Sequence, residues 1–209
     1  MARSLDARAG EPVTGRKRGL YYGWIMVALC STLLAFSYGA RYTFGVFMDP
    51  FAREFGWSRS TMSLAFSIFT WLYGVMQIYW GILIERRHPR VVMGLGVIFF
   101  GVAVVAMAGM STLWQLFVLQ GVVAAIGFSG MGMVPSSAVV SRWFVRRKGT
   151  ALSIAFAGVS VGQLVFSPLA MVWILQYGWR ISLLIIGGTF VVPGILVVLL
   201  ARSSPSEMG

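Results

Sequence analysis

An arginine flanked by tyrosines within an apolar run is the feature of this sequence that carries the most chemistry. Tyr38, Arg41, Tyr42 and Gly45 cluster on one side of a helix-length block, and Arg41 is the one charge well inside such a block. A central arginine in hydrocarbon costs from about 3 kcal/mol to considerably more, and such residues mark a site or a pair. No Asp or Glu falls inside any apolar block, because Asp49, Glu54 and Glu85 all stand at block ends. Arg41 is therefore expected to meet an anionic ligand, since its planar fork matches a carboxylate with two parallel hydrogen bonds. Tyr38 and Tyr42 would flank that ligand as hydrogen-bonding walls. The competing reading is that Arg41, seven residues from Met48, snorkels to the membrane interface.

Polar residues elsewhere recur at helical spacing. Ser63, Ser67, Thr70, Gly74, Gln77 and Gly81 step by three or four and trace one helix face. Ser153, Ser160, Gln163 and Ser167 form a similar stripe. Lipid tails are as apolar as leucine, so such stripes must face protein or a water-filled cavity. Interhelical packing would account for each stripe singly, whereas several stripes with one charge favour a polar passage. The candidate substrate-binding residues are Arg41, Tyr38, Tyr42, Gln77, Gln120, Ser160 and Gln163. Enzymatic chemistry has no support: there is no nucleophile–base arrangement, paired carboxylate or nucleotide-binding loop. One cysteine (Cys30) and one histidine (His88) rule out a disulfide framework and a Cys- or His-cluster metal centre. No cofactor and no metal are expected.

The elements that position these groups follow from composition. Of 209 residues, 58% are apolar and 11% charged, against about a quarter charged in soluble domains. A helix crossing the ~30 Å hydrocarbon core needs roughly 20 mostly apolar residues. Six such blocks are present, at Gly23–Met48, Thr61–Ile84, Val91–Met110, Leu113–Val140, Gly149–Gln176 and Ile181–Leu200. The first follows a polar leader and is too long for a signal-peptide core. The expected fold class is all-α, a polytopic transmembrane bundle of six helices.

The net charge of +11 could suggest nucleic acid. The basic residues, however, lie at the chain start and between apolar blocks, where an anionic membrane surface selects them. Thirteen of the seventeen fall on one side if the amino terminus is cytoplasmic, three on the other, with Arg41 between. Both termini are then expected in the cytoplasm, in a plasma or bacterial inner membrane. Aromatics at block ends, among them Tyr22, Trp24, Trp57, Trp114, Trp143 and Trp179, fit an interfacial belt in contact with lipid. The glycines of Gly127–Gly132 and Gly158–Gly162 offer close helix contact, and Pro135 and Pro168 are expected to kink the fourth and fifth spans.

The connection Gly81-Ile82-Leu83-Ile84-Glu85-Arg86-Arg87-His88-Pro89-Arg90 resembles the G-x-L-x-D-R-x-G-P-R motif of the major facilitator superfamily. Glu85 stands for Asp and His88 for Gly. The resemblance implies a cytoplasmic latch between two transporter halves, carried here by Gly81, Glu85, Arg86 and Arg90. Ser37-Tyr38-Gly39, Phe44-Gly45-Val46-Phe47 and Glu54-Phe55-Gly56-Trp57-Ser58 are similar to the first helix and loop of monocarboxylate and oxalate:formate carriers. Arg142-Trp143-Phe144-Val145-Arg146-Arg147-Lys148-Gly149, with Gly158 and Gly162, resembles their fifth-helix signature, and Tyr177-Gly178-Trp179-Arg180 fits the same pattern. The likeness implies secondary transport of small monocarboxylates or dicarboxylates by alternating access. Two departures stand out. The animal carriers' intramembrane lysine position is Tyr42 here, with Arg41 beside it, and Phe117 replaces the arginine that precedes Gln-Gly in the fourth helix.

The superfamily has twelve helices in two halves with substrate between them. The expected organisation is a basic cytoplasmic tail over 1–20, a six-helix amino-terminal half over 21–202, and the start of a central linker over 203–209. A missing carboxyl-terminal half, or a second copy of this chain, is the expected partner besides the small-molecule substrate and lipid. A transporter of a neutral nutrient or amphipathic drug, and a non-transporting scaffold or sensor, are the alternatives. A charge latch argues against a static scaffold.

Overall fold

The computed structural model describes residues 16–86, 89–144, 147–190, 192–194 and 196. Each of the six apolar blocks carries helix among its described residues. The helices are α1 (Arg16–Phe55), α2 (Arg59–Arg86), α3 (Pro89–Met107), α4 (Leu113–Trp143), α5 (residues 148–177) and α6 (residues 179–189). The tail over residues 1–15 and the linker over 203–209 lie outside the described residues. The last turn of the basic leader, from Arg16, already belongs to α1. By length and hydropathy α1, α2, α4 and the α5–α6 stretch are able to cross a membrane. The apolar part of α3, Val91–Met107, is shorter; at 1.5 Å per residue it spans about 26 Å.

Two boundaries differ from expectation. α1 does not end at Met48 but runs through Pro50 to Phe55, and stops where Gly56 takes a positive φ of 68°. That conformation suits glycine because it lacks a Cβ. The break in α4 falls on Gly132 rather than on Pro135. α4 is interrupted at Gly132 (ψ −160°), and Pro135 then sits in the first turn of the helix that restarts at Met133, where a missing N–H costs little. α5 continues through Pro168 and turns into α6 at Gly178, whose φ is 80°. α4 also contains a π-helical stretch over Phe117–Val123.

Burial separates central from peripheral helices. The most apolar stretches of α1 and α4 are 61% and 56% buried, those of α2 and α5–α6 only 17% and 22%. α1 and α5 pack backbone to backbone. A Cβ on Gly162 would lie 2.6 Å from the Ala35 carbonyl carbon, and one on Gly158 2.7 Å from Ser31 Oγ. α3 and α4 meet in the same manner at Gly127, where a Cβ would be 2.9 Å from Phe100 Cα. Without a hydrophobic force between helices in lipid, such small-residue contacts supply the association. Aromatics fill the centre, with Phe128 in edge or tilted contact with Tyr38, Phe69, Tyr73 and Phe100.

Two polar fastenings tie helix ends. At one end Arg142 donates to the Ile84 carbonyl (3.0 Å), joining α4 to the last turn of α2; a cation suits the free carbonyls there. At the other, Glu54 accepts from Arg180 Nη2 (2.9 Å) and from Trp179 Nε1, while Arg180 Nη1 donates to the Ala108 carbonyl (3.2 Å). The guanidinium also lies 4.5 Å from the Trp179 ring centroid. The two aromatic-rich motifs singled out in sequence, around Glu54 and around Trp179, thus close on each other and join α1, α6 and the α3–α4 loop.

Candidate functional site

Arg41 does not extend along lipid. Its guanidinium carbon lies 5.5 Å from the Phe66 ring centroid, 5.1 Å from Phe69, 5.2 Å from Tyr73 and 5.2 Å from Phe128. Each distance is inside the ~6 Å range of cation–π attraction. Three of the rings come from α2, spaced so that successive turns present them to α1, and the fourth comes from α4. Arg41 Nη2 donates to Thr70 Oγ1 at a long 3.4 Å, and Nε is buried without a partner. Among the described residues no carboxylate pairs with it. A guanidinium has five N–H donors, so most of its hydrogen-bonding capacity is unspent. Stabilisation by ring faces balances the charge without occupying the donors.

Beside it runs a chain of hydroxyl and amide groups. Tyr38 and Tyr73 share a hydrogen bond of 3.1 Å, and the Tyr73 hydroxyl accepts from Gln77 Nε2. Tyr38 is buried, Tyr73 and Gln77 half-buried. Tyr42 is 41% exposed, with its ring 6.4 Å from that of Tyr38. The structure therefore brings Arg41, Tyr38 and Gln77 together and sets Tyr42 at the edge of the group.

The remaining expected contacts stand elsewhere. α5 turns Gly158, Gly162 and Phe166 toward α1, which leaves Ser160 and Gln163 exposed on another face. Ser153 is exposed with them, and on α2 so are Ser63, Ser67, Thr70 and Gly74. Gln120 is buried and lines a cavity between α1, α3, α4 and α6 that Arg41 also borders. Of the latch residues, Gly81 faces Val134, whose Cγ1 would be 3.7 Å from an added Cβ, an ordinary contact. The side chains of Glu85, Arg86 and Arg90 lie outside the described residues. Within the fifth-helix signature Arg146 lies outside them too, Arg147 and Gly149 are exposed at the start of α5, and Gly158 and Gly162 make the α1 contact.

Sequence reasoning missed Tyr73 and the three phenylalanines. Tyr73 stands three residues after Thr70 and four before Gln77, a spacing that places it alongside the polar stripe. Reading that stripe through Gly74 passed over it. Phe66, Phe69 and Phe128 carry no signal of their own in an apolar helix, where aromatics are abundant.

A bundle of apolar helices with a charged group inside it and exposed polar stripes on two peripheral helices marks an integral membrane protein. The chain belongs to the major facilitator superfamily, whose family profile matches residues 30–209. It is 29% identical over 168 residues to monocarboxylate transporter 4 of Gallus gallus, covering 80% of this chain and 35% of that protein. It is 32% identical over 191 residues to probable anion transporter 4, chloroplastic, of Oryza sativa subsp. japonica, covering 88% of this chain and 31% of that one. The chain thus spans about a third of the length of these relatives. In fold it is similar to a bacterial homolog of the human lysosomal transporter Spinster in an inward-facing, unoccupied conformation. That match has a TM-score of 0.77 at 18% identity, over 88% of this chain and 44% of that structure. These relatives are transporters rather than enzymes.

Proposed function

We propose that this chain is the amino-terminal half of a secondary transporter of small organic anions, monocarboxylates or dicarboxylates, working by alternating access. The observation that carries the reading is the state of Arg41, a guanidinium within the span held by four rings, with one long hydrogen bond and no carboxylate partner among the described residues. A carboxylate substrate would supply the missing acceptors in a setting where charge-assisted bonds are strong. Tyr38 and Gln77, joined through Tyr73, would line the approach, with Tyr42, Gln120, Ser160 and Gln163 as further contacts. The relatives named for monocarboxylates and anions support the same class. The exposed stripes of α2 and α5 suit a polar route shared with a second six-helix half, and Gly81, Glu85, Arg86 and Arg90 would serve as its cytoplasmic latch. The basic connections favour both termini in the cytoplasm of a plasma or inner membrane.

The test is uptake in proteoliposomes by the complete protein that carries this chain, with lactate, formate and oxalate against neutral isosteres. The anions are expected to be transported and the neutral compounds not. A lost charged hydrogen bond costs about 1.5–3 kcal/mol, so Arg41→Gln should weaken apparent affinity roughly ten- to hundredfold. Normal anion transport by both Arg41→Lys and Arg41→Gln would refute the assignment. Transport of the neutral isosteres alone would favour the neutral-solute alternative.

A further inference from the structure

Ring faces attract the Arg41 guanidinium without telling its edges apart, because a cation–π contact is between a charge and a ring quadrupole. The one directional contact among the described residues is the hydrogen bond from Nη2 to Thr70 Oγ1 (3.4 Å). Thr70 is exposed on the polar stripe of α2, between Ser67 and Gly74, whereas Phe69 and Phe128 are fully buried. Nε, by contrast with Nη2, is sealed without a partner. The guanidinium thus lies with its Nη end toward the stripe and its Nε inside.

Thr70 is fixed as an acceptor toward Arg41. A hydroxyl has one proton and two lone pairs, and the Thr70 proton goes to the Phe66 carbonyl one turn back (2.9 Å). Bonding of this kind to the helix's own backbone is ordinary for threonine. Thr43 on α1 shows the ordinary case: its Oγ1 donates to the Ala40 carbonyl (2.7 Å), and it makes no hydrogen bond to Arg41. Thr70 differs because its remaining capacity is spent on the guanidinium. Carbonyl, hydroxyl and guanidinium then form a relay in which each bond polarises the next. At 3.4 Å the last bond is long against the usual range of about 2.7–3.2 Å, so it orients Nη2 without holding it against a stronger acceptor.

We propose, resting on the anion reading, that Thr70 is a positioning residue of the site, turning the Nη end of Arg41 toward the α2 stripe so that a carboxylate arriving there is taken end-on by Nη1 and Nη2. Nε, sealed inside, takes no part, and a side-on pairing through Nε is closed. Thr70 has no proton left for the anion, so it acts through Arg41 and not on the ligand.

Uptake kinetics of the complete protein in proteoliposomes, with lactate, formate and oxalate as probes, test the assignment. Thr70→Val keeps the shape and removes the oxygen, and apparent KM is expected to rise roughly two- to tenfold with the maximal rate retained. Thr70→Ala is expected to match it and Thr70→Ser to restore the unaltered KM. Thr43→Val, which removes a hydroxyl bonded only to its own helix, is expected to leave KM unchanged. In an Arg41→Gln background Thr70→Val is expected to add nothing, a coupling that a merely structural hydroxyl does not show. The positioning role is overturned, and the anion reading left standing, if Arg41→Gln weakens transport but Thr70→Val does not. The same holds if serine fails to rescue, if Thr43→Val matches Thr70→Val, or if Thr70→Val acts equally with and without Arg41. If none of the three anions is carried, or Arg41→Gln transports them normally, the anion reading fails and this inference falls with it.

Discussion

Replacing Gly162 by alanine should pry α1 from α5. The added Cβ would sit 2.6 Å from the Ala35 carbonyl carbon and 2.7 Å from its Cα, whereas carbon atoms rest at about 3.5–4.0 Å. The helices must part by roughly 1 Å, because the obstacle is backbone and has no rotamer to change. Overpacking of this kind costs about 1–3 kcal/mol. Against it stands the gain of alanine over glycine in a helix, up to about 1 kcal/mol. Gly149 separates the two effects, since it lies in the same helix with nothing within 4 Å of an added Cβ. Gly149→Ala should therefore be neutral or slightly stabilising, and Gly162→Ala destabilising. Cys30 supplies the assay: it is the one thiol of the chain and is fully buried on α1. Thiol-reactive dye labelling of Cys30 on a temperature ramp should begin several degrees lower in Gly162→Ala than in Gly149→Ala. Equal onset in the two variants would refute the claim that backbone contact, rather than side-chain burial, joins these helices.

Tyr73→Phe removes the hydroxyl shared by Tyr38 and Gln77 and leaves a buried group unsatisfied, at a cost of about 1–3 kcal/mol; a thermal shift larger than that of Tyr38→Phe is the expected readout. Arg180→Gln should loosen the corner formed by Glu54, Trp179 and Ala108 by a smaller amount than Gly162→Ala, and the difference from the unaltered protein should shrink in high salt, as befits a partly exposed pair. If α5 presents a wetted stripe to a second half, Gln163→Cys should react with a membrane-impermeant thiol reagent faster than Leu164→Cys, its exposed apolar neighbour. Equal rates would place both side chains in lipid.

Much of this protein was legible in the order of its residues. Lipid offers no partner to a backbone N–H or carbonyl, so apolar runs of spanning length have to be helices, and Gly23–Met48 or Thr61–Ile84 need no neighbour to decide that. A charge without an intramembrane counter-ion, Arg41, stood out for the same reason. Tertiary structure decided what balances that charge. Phe66, Phe69, Tyr73 and Phe128 are ordinary helix residues until α2 and α4 bring their faces to one point, and no local spacing reveals a cage built from two helices. It also decided which polar residues meet. Ser160 and Gln163 share a helical period with Gly158 and Gly162, but the close approach of backbone at the two glycines fixes the rotation of α5 and turns the polar pair away from Arg41. The break at Gly132 rather than at Pro135 belongs there too: Pro135 falls in the first turn of the restarted helix, where its missing N–H has no partner to lose, while α5 carries Pro168 in its interior without a break.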